Sequence, residues 1–271
     1  MEKISGRVLN GDKVTIITVC YNAEREIEKT ILSVIGQTYD NIEYIVVDGK
    51  SHDATISIIH KYQNSIDVIL SEPDNGIYDA MNKGIALASG KWICFMNAGD
   101  VFYDKDVTSK VFQSKKYDCD VIYGDTVHLT KYGAYLFTAG HPSELKQHLP
   151  FCHQSCFVKA ATLKEYKFNL YYKLAADYDF FYNLYCKNAK FYSLALPIAI
   201  YENIEGLSTT NIDNVEKEYF EINGLPKSNI QKYKETIKGL LENFLKSILP
   251  KDTFCNLKRH RLEHIYEKVE F

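Results

Sequence analysis

Five aspartates, Asp48, Asp53, Asp74, Asp79 and Asp100, lie at or just beyond the ends of short apolar runs, and two more, Asp177 and Asp179, open a helical stretch far downstream. A carboxylate placed this way can accept an N–H from a nucleobase, hold a divalent cation, or take a proton from a hydroxyl. The chain contains neither a G-x-x-x-x-G-K-[ST] loop nor a G-x-G-x-x-G turn after a strand. Phosphate cradling by a P-loop and dinucleotide binding by a Rossmann fingerprint are therefore not available to it. Acids bind a diphosphate poorly by themselves, so a crevice lined with them points to Mn2+ or Mg2+ bridging carboxylate and phosphate oxygens.

The elements that must position these acids follow from hydrophobic periodicity. Val14–Val19 is a β-branched run of the kind buried on both faces of a parallel sheet. Asn22 is read as the N-cap of a helix carrying Ile27, Ile31, Val34 and Ile35, which Gly36 stops. The pattern repeats with strands at Ile42–Val47, Asp67–Leu70 and Trp92–Met96 and helices at Ala54–Gln63 and Ile77–Ala88. Alternation of this kind predicts an α/β fold with a mostly parallel, Rossmann-like sheet flanked by helices. In such sheets the loops at the strands' carboxyl ends share one crevice. Beyond Val101 the pattern weakens to a strand at Asp120–Tyr123, a hairpin near Tyr132-Gly133, and helices near Lys159–Tyr166 and Asp177–Lys187. This half is read as the acceptor side.

Composition narrows the partners. A net charge of −3 over 271 residues gives no basic footprint for nucleic acid. Seven cysteines in mostly apolar surroundings read as reduced thiols of a cytoplasmic protein. Neither a secretory leader nor an uninterrupted run of about 18 apolar residues is present. From residue 221 to 271 the chain turns helical and basic, with Phe244, Leu245, Ile248 and Leu249 interleaved with Lys238, Lys246 and Lys251. That extension suits either peripheral contact with the inner face of the cell membrane or packing back on the main domain.

Five ordered motifs carry a resemblance: Thr18-Val19-Cys20-Tyr21-Asn22; Gln37-Thr38; Ile45-Val46-Val47-Asp48-Gly49 with Ser51, Asp53 and Thr55; Ser71 through Gly84; and Asn97-Ala98-Gly99-Asp100. Together they resemble family 2 glycosyltransferases over residues 13–210. The resemblance implies a GT-A fold in a domain spanning residues 13–220, and inverting transfer of a hexose from a nucleoside-diphosphate sugar, a UDP-sugar by expectation. Carried across by position, Thr18, Cys20, Tyr21 and Asn22 line the nucleotide pocket and Asp48 bonds the base. Asp79 and Asn82 contact the donor, although Asp79 also suits a first-turn acid that complements the helix dipole. Asn97, Ala98 and Gly99 lie along the diphosphate, and Asp100 is the metal carboxylate. Asn97 and Gly99 stand where fuller versions of that motif have acids, so metal affinity without nucleotide should be weak.

Downstream, His153-Gln154 resembles an acceptor-side motif. Ala176-Asp177-Tyr178-Asp179 is similar to the family's E-D-x-D segment, with Ala176 replacing Glu, and implies Asp177 as the catalytic base. A histidine that completes the metal shell in many relatives has no counterpart in Ile200–Ser208. The implied acceptor is a saccharide or lipid-linked saccharide in surface polysaccharide synthesis. The alternative is a catalytically silent subunit that binds nucleotide sugar within a membrane-associated assembly.

Overall fold

The computed structural model describes residues 11–202 and 212–225, with shorter stretches between 253 and 269. The amino-terminal half is built from β1 (Val14–Cys20), α1 (Ile27–Ile35), β2 (Ile42–Asp48), α2 (Thr55–Lys61), β3 (Val68–Ser71), α3 (Ile77–Leu87) and β4 (Trp92–Phe95). These four strands run parallel in the order β3-β2-β1-β4. β1, β2 and β4 are buried almost throughout, as continuous β-branched and aromatic runs require when helices cover both faces. Ile17, Ile45, Met81 and Ile85 pack on one face of the sheet, and Ile16, Ile27, Ile31 and Trp92 on the other.

The second half changes character. After β5 (Val101–Phe102) and α4 (Val107–Phe112), β6 (Val121–Thr130) and β7 (Gly133–Phe137) form the expected hairpin, with Thr130 opposite Gly133. β8 (Cys156–Lys159) runs antiparallel to both β4 and β6 and so joins the two halves into one sheet. α5 (Ala160–Tyr166) and α6 (Ala176–Cys186) follow, and then β9 (Phe191–Glu202), which pairs parallel to β6 and antiparallel to β5. Pro197 lies opposite Asp125 where this register shifts, a bulge being where a sheet tolerates a residue without an N–H. The sheet is thus parallel in its first half and mixed in its second, where β6 and β9 run parallel and the other pairings are antiparallel.

α7 (Ile212–Asn223) packs on α6 and continues through residue 220, where the sequence suggested a boundary. β10 (Glu267–Val269) pairs with β7, so a strand occurs in a stretch expected to be helical. The amphipathic segment around residues 238–251 lies outside the described residues. Among the described residues no helix is long and apolar enough to cross a membrane.

Candidate active site

At the carboxyl ends of the strands a cavity of about 810 Å3 opens between the β4 end, the 3₁₀ turn His153–Ser155, and helices α3, α6 and α7. One wall is polar and carries Asn97, Ala98, Gly99, Asp100, His153, Gln154 and Asp177. Apolar groups share the lining, among them Ile77, Phe137, Leu149, Phe151, Val215 and Tyr219.

The polar wall is held by α1. Thr30 of that helix donates its hydroxyl to the Asp100 carbonyl (2.8 Å) and accepts from Gly99 N–H (3.0 Å). Gly99 has φ +106°, so a side chain there would be strained, and the tight turn depends on glycine. The turn leaves the Asp100 carboxyl buried. Burial pushes that group up to about 7, against the opposing pull of His153, the Gln154 amide and Lys29. Asn97 Nδ2 donates to His153 Nε2 (3.2 Å), while Asn97 Oδ1 is buried with no hydrogen-bond partner among the described residues.

Asp177 occupies the first turn of α6, where the helix dipole favours a negative charge. Its Oδ1 accepts the Tyr78 hydroxyl proton (2.9 Å), and His153 Nδ1 stands 3.3 Å from its Oδ2. With the Asn97 amide donating to Nε2, the imidazole proton sits on Nδ1 and points at Asp177. Burial raises the Asp177 carboxyl, but His153, the Tyr78 hydroxyl and the Tyr178 N–H outweigh it and hold it below the ordinary aspartate range. The carboxylate is therefore ionised at neutral pH. With these three donors its two oxygens still keep acceptor capacity for a further proton.

The expected residues divide into those the cavity gathers and those it does not. Asn97, Ala98, Gly99, Asp100, His153, Gln154 and Asp177 line one cavity. Thr18 does not line it: the residue is fully buried, donates to the Met96 carbonyl (2.7 Å) and bonds the Tyr44 hydroxyl (3.0 Å), which makes it a core residue. Asn82 does not line it either. Its amide clamps the backbone of Phe168 in both directions, Nδ2 to the carbonyl at 2.8 Å and Oδ1 from the N–H at 2.9 Å. Asp79 spends its Oδ2 on the Asn75 N–H (2.9 Å) and side-chain amide, securing the turn that starts α3.

Asp48 is fully buried at the end of β2. It accepts from Ser51 N–H at 3.1 Å, from the Ser51 hydroxyl, and from the Ser71 hydroxyl at 2.6 Å. Cys20 directs its thiol at Asp48 Oδ1 (3.8 Å), and burial followed by the Asp48 charge keeps that thiol protonated. Asn22 is not a helix cap: with φ +48° it offers Oδ1 to the His52 N–H (2.9 Å), and α1 begins only at Ile27. Tyr21 is 57% exposed and packs beside Gly49, as does Asp74, which makes a ledge at the ends of β1, β2 and β3 whose residues are not part of the cavity lining.

Two contributors escaped the sequence reading. Tyr78 lies inside the quoted Ser71–Gly84 motif, but only helical phase, which turns positions 77 and 78 toward α6, distinguishes it from Asp79. Glu218 stands in a polar helix with no recognisable motif around it.

A parallel four-strand unit extended by antiparallel strands, with an acid-bearing cavity across its carboxyl ends, has the architecture of a GT-A glycosyltransferase. The chain belongs to glycosyl transferase family 2, whose model matches residues 15–163. A PGL/p-HBAD biosynthesis glycosyltransferase of Mycobacterium tuberculosis is 30% identical over 213 residues, covering 73% of this chain and 80% of that one. An uncharacterised glycosyltransferase of Haemophilus influenzae is 33% identical over 126 residues, 45% of this chain and 36% of that one. Among solved structures, S. aureus TarS 1–349 in complex with UDP-GlcNAc superposes with a TM-score of 0.63 at 19% identity, over 78% of this chain and 64% of that one. Mannosyltransferase PcManGT from Pyrobaculum calidifontis, in complex with GDP-Man and Mn2+, gives 0.64 at 12% identity over 96% and 82%.

Proposed function

We propose that this glycosyltransferase moves a hexose from a nucleoside-diphosphate sugar, preferentially a UDP-sugar, to a hydroxyl of a saccharide or lipid-linked saccharide, inverting the anomeric centre. The observation that carries this reading is one ionised, buried carboxylate, Asp177, joined through His153 to the Asn97–Asp100 turn in the lining of a single cavity. The base rests on the ledge formed by Tyr21, Gly49 and Asp74, and the diphosphate reaches along Ala98 and Gly99. The acceptor enters over the apolar part of the lining, where Phe137 and Tyr219 suit the faces of a sugar ring or an aglycone. Its hydroxyl loses a proton to Asp177 as oxygen attacks the anomeric carbon and the bond to the diphosphate breaks. Tyr78 and His153 hold the carboxylate for that transfer, which is general base catalysis with a preset geometry.

The residues present fit a divalent cation. Asn97 Oδ1 is a buried oxygen without a hydrogen-bond partner among the described residues, and Asp100 is a buried carboxyl whose ionisation lacks compensation. These two would hold Mn2+ or Mg2+, which supplies charge to offset the departing diphosphate.

The test is calorimetric titration of UDP, GDP, CMP and dTDP with and without Mn2+, on the wild type, Asp100→Ala and Asp177→Asn. One nucleotide should bind with metal dependence, and Asp100→Ala should lose that dependence. Asp177→Asn should keep nucleotide affinity while turnover falls about 1,000-fold or more. Equal loss of binding and turnover in Asp177→Asn overturns its role as base.

A further inference from the structure

α6 begins without a side-chain cap. Its N-cap is Ala175, which has no side-chain acceptor, and Ala176 follows it. A helix that starts this way leaves several N–H groups needing partners. The peptide leading into it is held from elsewhere in the fold: Glu218 of α7 accepts the N–H of Lys173 at its Oε1 (2.9 Å), and those of Leu174 (2.9 Å) and Ala175 (2.8 Å) at its Oε2. Three consecutive amides thus converge on one carboxylate, a charge-assisted arrangement stronger than an ordinary cap.

The clamped tripeptide leads straight to the reactive group. The Leu174 carbonyl accepts the Tyr78 hydroxyl at 3.1 Å, and the same hydroxyl reaches Asp177 Oδ1 at 2.9 Å. Asp177 lies two residues beyond the last clamped amide. Two further contacts tie α7 to α6: Tyr219 stacks on Tyr178 with ring centroids 4.0 Å apart, and Asn223 Nδ2 donates to the Tyr178 hydroxyl at 2.9 Å. Val215 and Tyr219 of α7 also line the cavity. The helix that walls the acceptor side therefore also anchors the start of the helix carrying Asp177.

We propose that Glu218 is a positioning residue for the transfer reaction: by gathering the amides of Lys173, Leu174 and Ala175, it fixes the Leu174 carbonyl and the first turn of α6, and with them the place of Tyr78 and Asp177. It touches neither donor nor acceptor. This rests on the assignment of Asp177 as proton acceptor.

The measurement needs no substrate. In 15N-histidine-labelled protein, the His153 Nδ1–H held against Asp177 gives a downfield proton resonance, identified by its loss in His153→Gln. Glu218→Ala and the near-isosteric Glu218→Gln should each shift or abolish it, with UDP or GDP affinity changed by no more than about two-fold. Turnover of the donor sugar should fall about 10–100-fold, in kcat and not in donor KM, the scale expected when a reacting group is displaced by about an ångström. A resonance unchanged in both variants overturns the proposal. Loss of nucleotide affinity in parallel with the resonance, in Glu218→Gln as well as Glu218→Ala, also overturns it, because the residue then serves only the stability of the domain. Asp177→Asn with wild-type turnover would overturn the base assignment instead, and it would do so whatever the Glu218 variants show.

Discussion

Two carboxyl groups at opposite ends of the parallel strands expose similarly little surface and titrate in opposite directions. Glu43, near the amino end of β2, is 8% exposed, and Asp100, beyond the carboxyl end of β4, is 6% exposed. Burial raises both. At Glu43 it is outweighed by the N–H and hydroxyl of Ser89, the hydroxyl of Thr15 and the ammonium of Lys13, and the group falls to about 2. At Asp100 the opposing groups are too few, and it rises to about 7. The difference lies in depth, since Asp100 sits further inside the protein than Glu43, and in the donors each end supplies. The amino end completes its own polar network, while the carboxyl end leaves Asp100 undercompensated and Asn97 Oδ1 unpaired among the described residues, an arrangement that a bound substrate and cation would complete.

The comparison breaks most sharply at Asp100. Its folded value lies above the ordinary 3.8, so the folded state becomes relatively less stable as pH rises from about 4 through about 7, and the cost is complete above that. Asp100→Asn removes the charge, and with cation chelated the variant should be more stable than wild type at pH 8 by roughly 2–4 kcal/mol. Near pH 4 the gain should vanish, while metal-dependent nucleotide binding should be lost at every pH. Urea unfolding in EDTA at the two pH values checks this. A gain of equal size at both would show that the buried charge is not its source.

Glu43 should behave in the opposite sense. Its value is depressed from 4.5, so its contribution is fully present above about 4.5 and drains away as pH falls toward 2. Glu43→Gln turns an amide NH2 toward donors that need an acceptor and should cost about 2 kcal/mol near pH 7. The gap from wild type should narrow on acidification, and nucleotide affinity should stay unchanged. A gap that persists at pH 2.5 would mean that packing, not the carboxylate, carries the loss.

The sequence showed the first half of the fold more plainly than the second. Runs such as Ile42–Val47 announce buried parallel strands without further context, because both of their faces are covered. β9 escaped the reading: Phe191–Glu202 mixes exposed and buried positions and contains Pro197, and its register only makes sense once β6 is beside it. The site divides for a related reason. Asn97–Asp100, His153 and Asp177 could be named from local motifs, but the joining of His153 to Asp177 and the clamp of Glu218 on residues 173–175 are tertiary contacts. Asn82 and Asp79 do not line the cavity, which a motif alone does not tell, because it records which residues recur and not which way a helix turns them.

Thr18 offers the smallest and most discriminating test of that last point. By position it belongs to a nucleotide-lining motif, yet its hydroxyl is buried between the Met96 carbonyl and the Tyr44 hydroxyl. Met96 precedes Asn97, so Thr18 supports the polar wall from behind without facing the cavity. Thr18→Val keeps the shape and removes the hydroxyl, leaving the Met96 carbonyl and the Tyr44 hydroxyl each short of a partner. The expected cost is about 1–2 kcal/mol of stability, with nucleotide affinity within about two-fold of wild type. Thermal unfolding and nucleotide titration on one preparation separate the two roles. Affinity reduced about ten-fold at unchanged stability would put Thr18 in the pocket and show that the polar end of the sheet extends deeper than the cavity does.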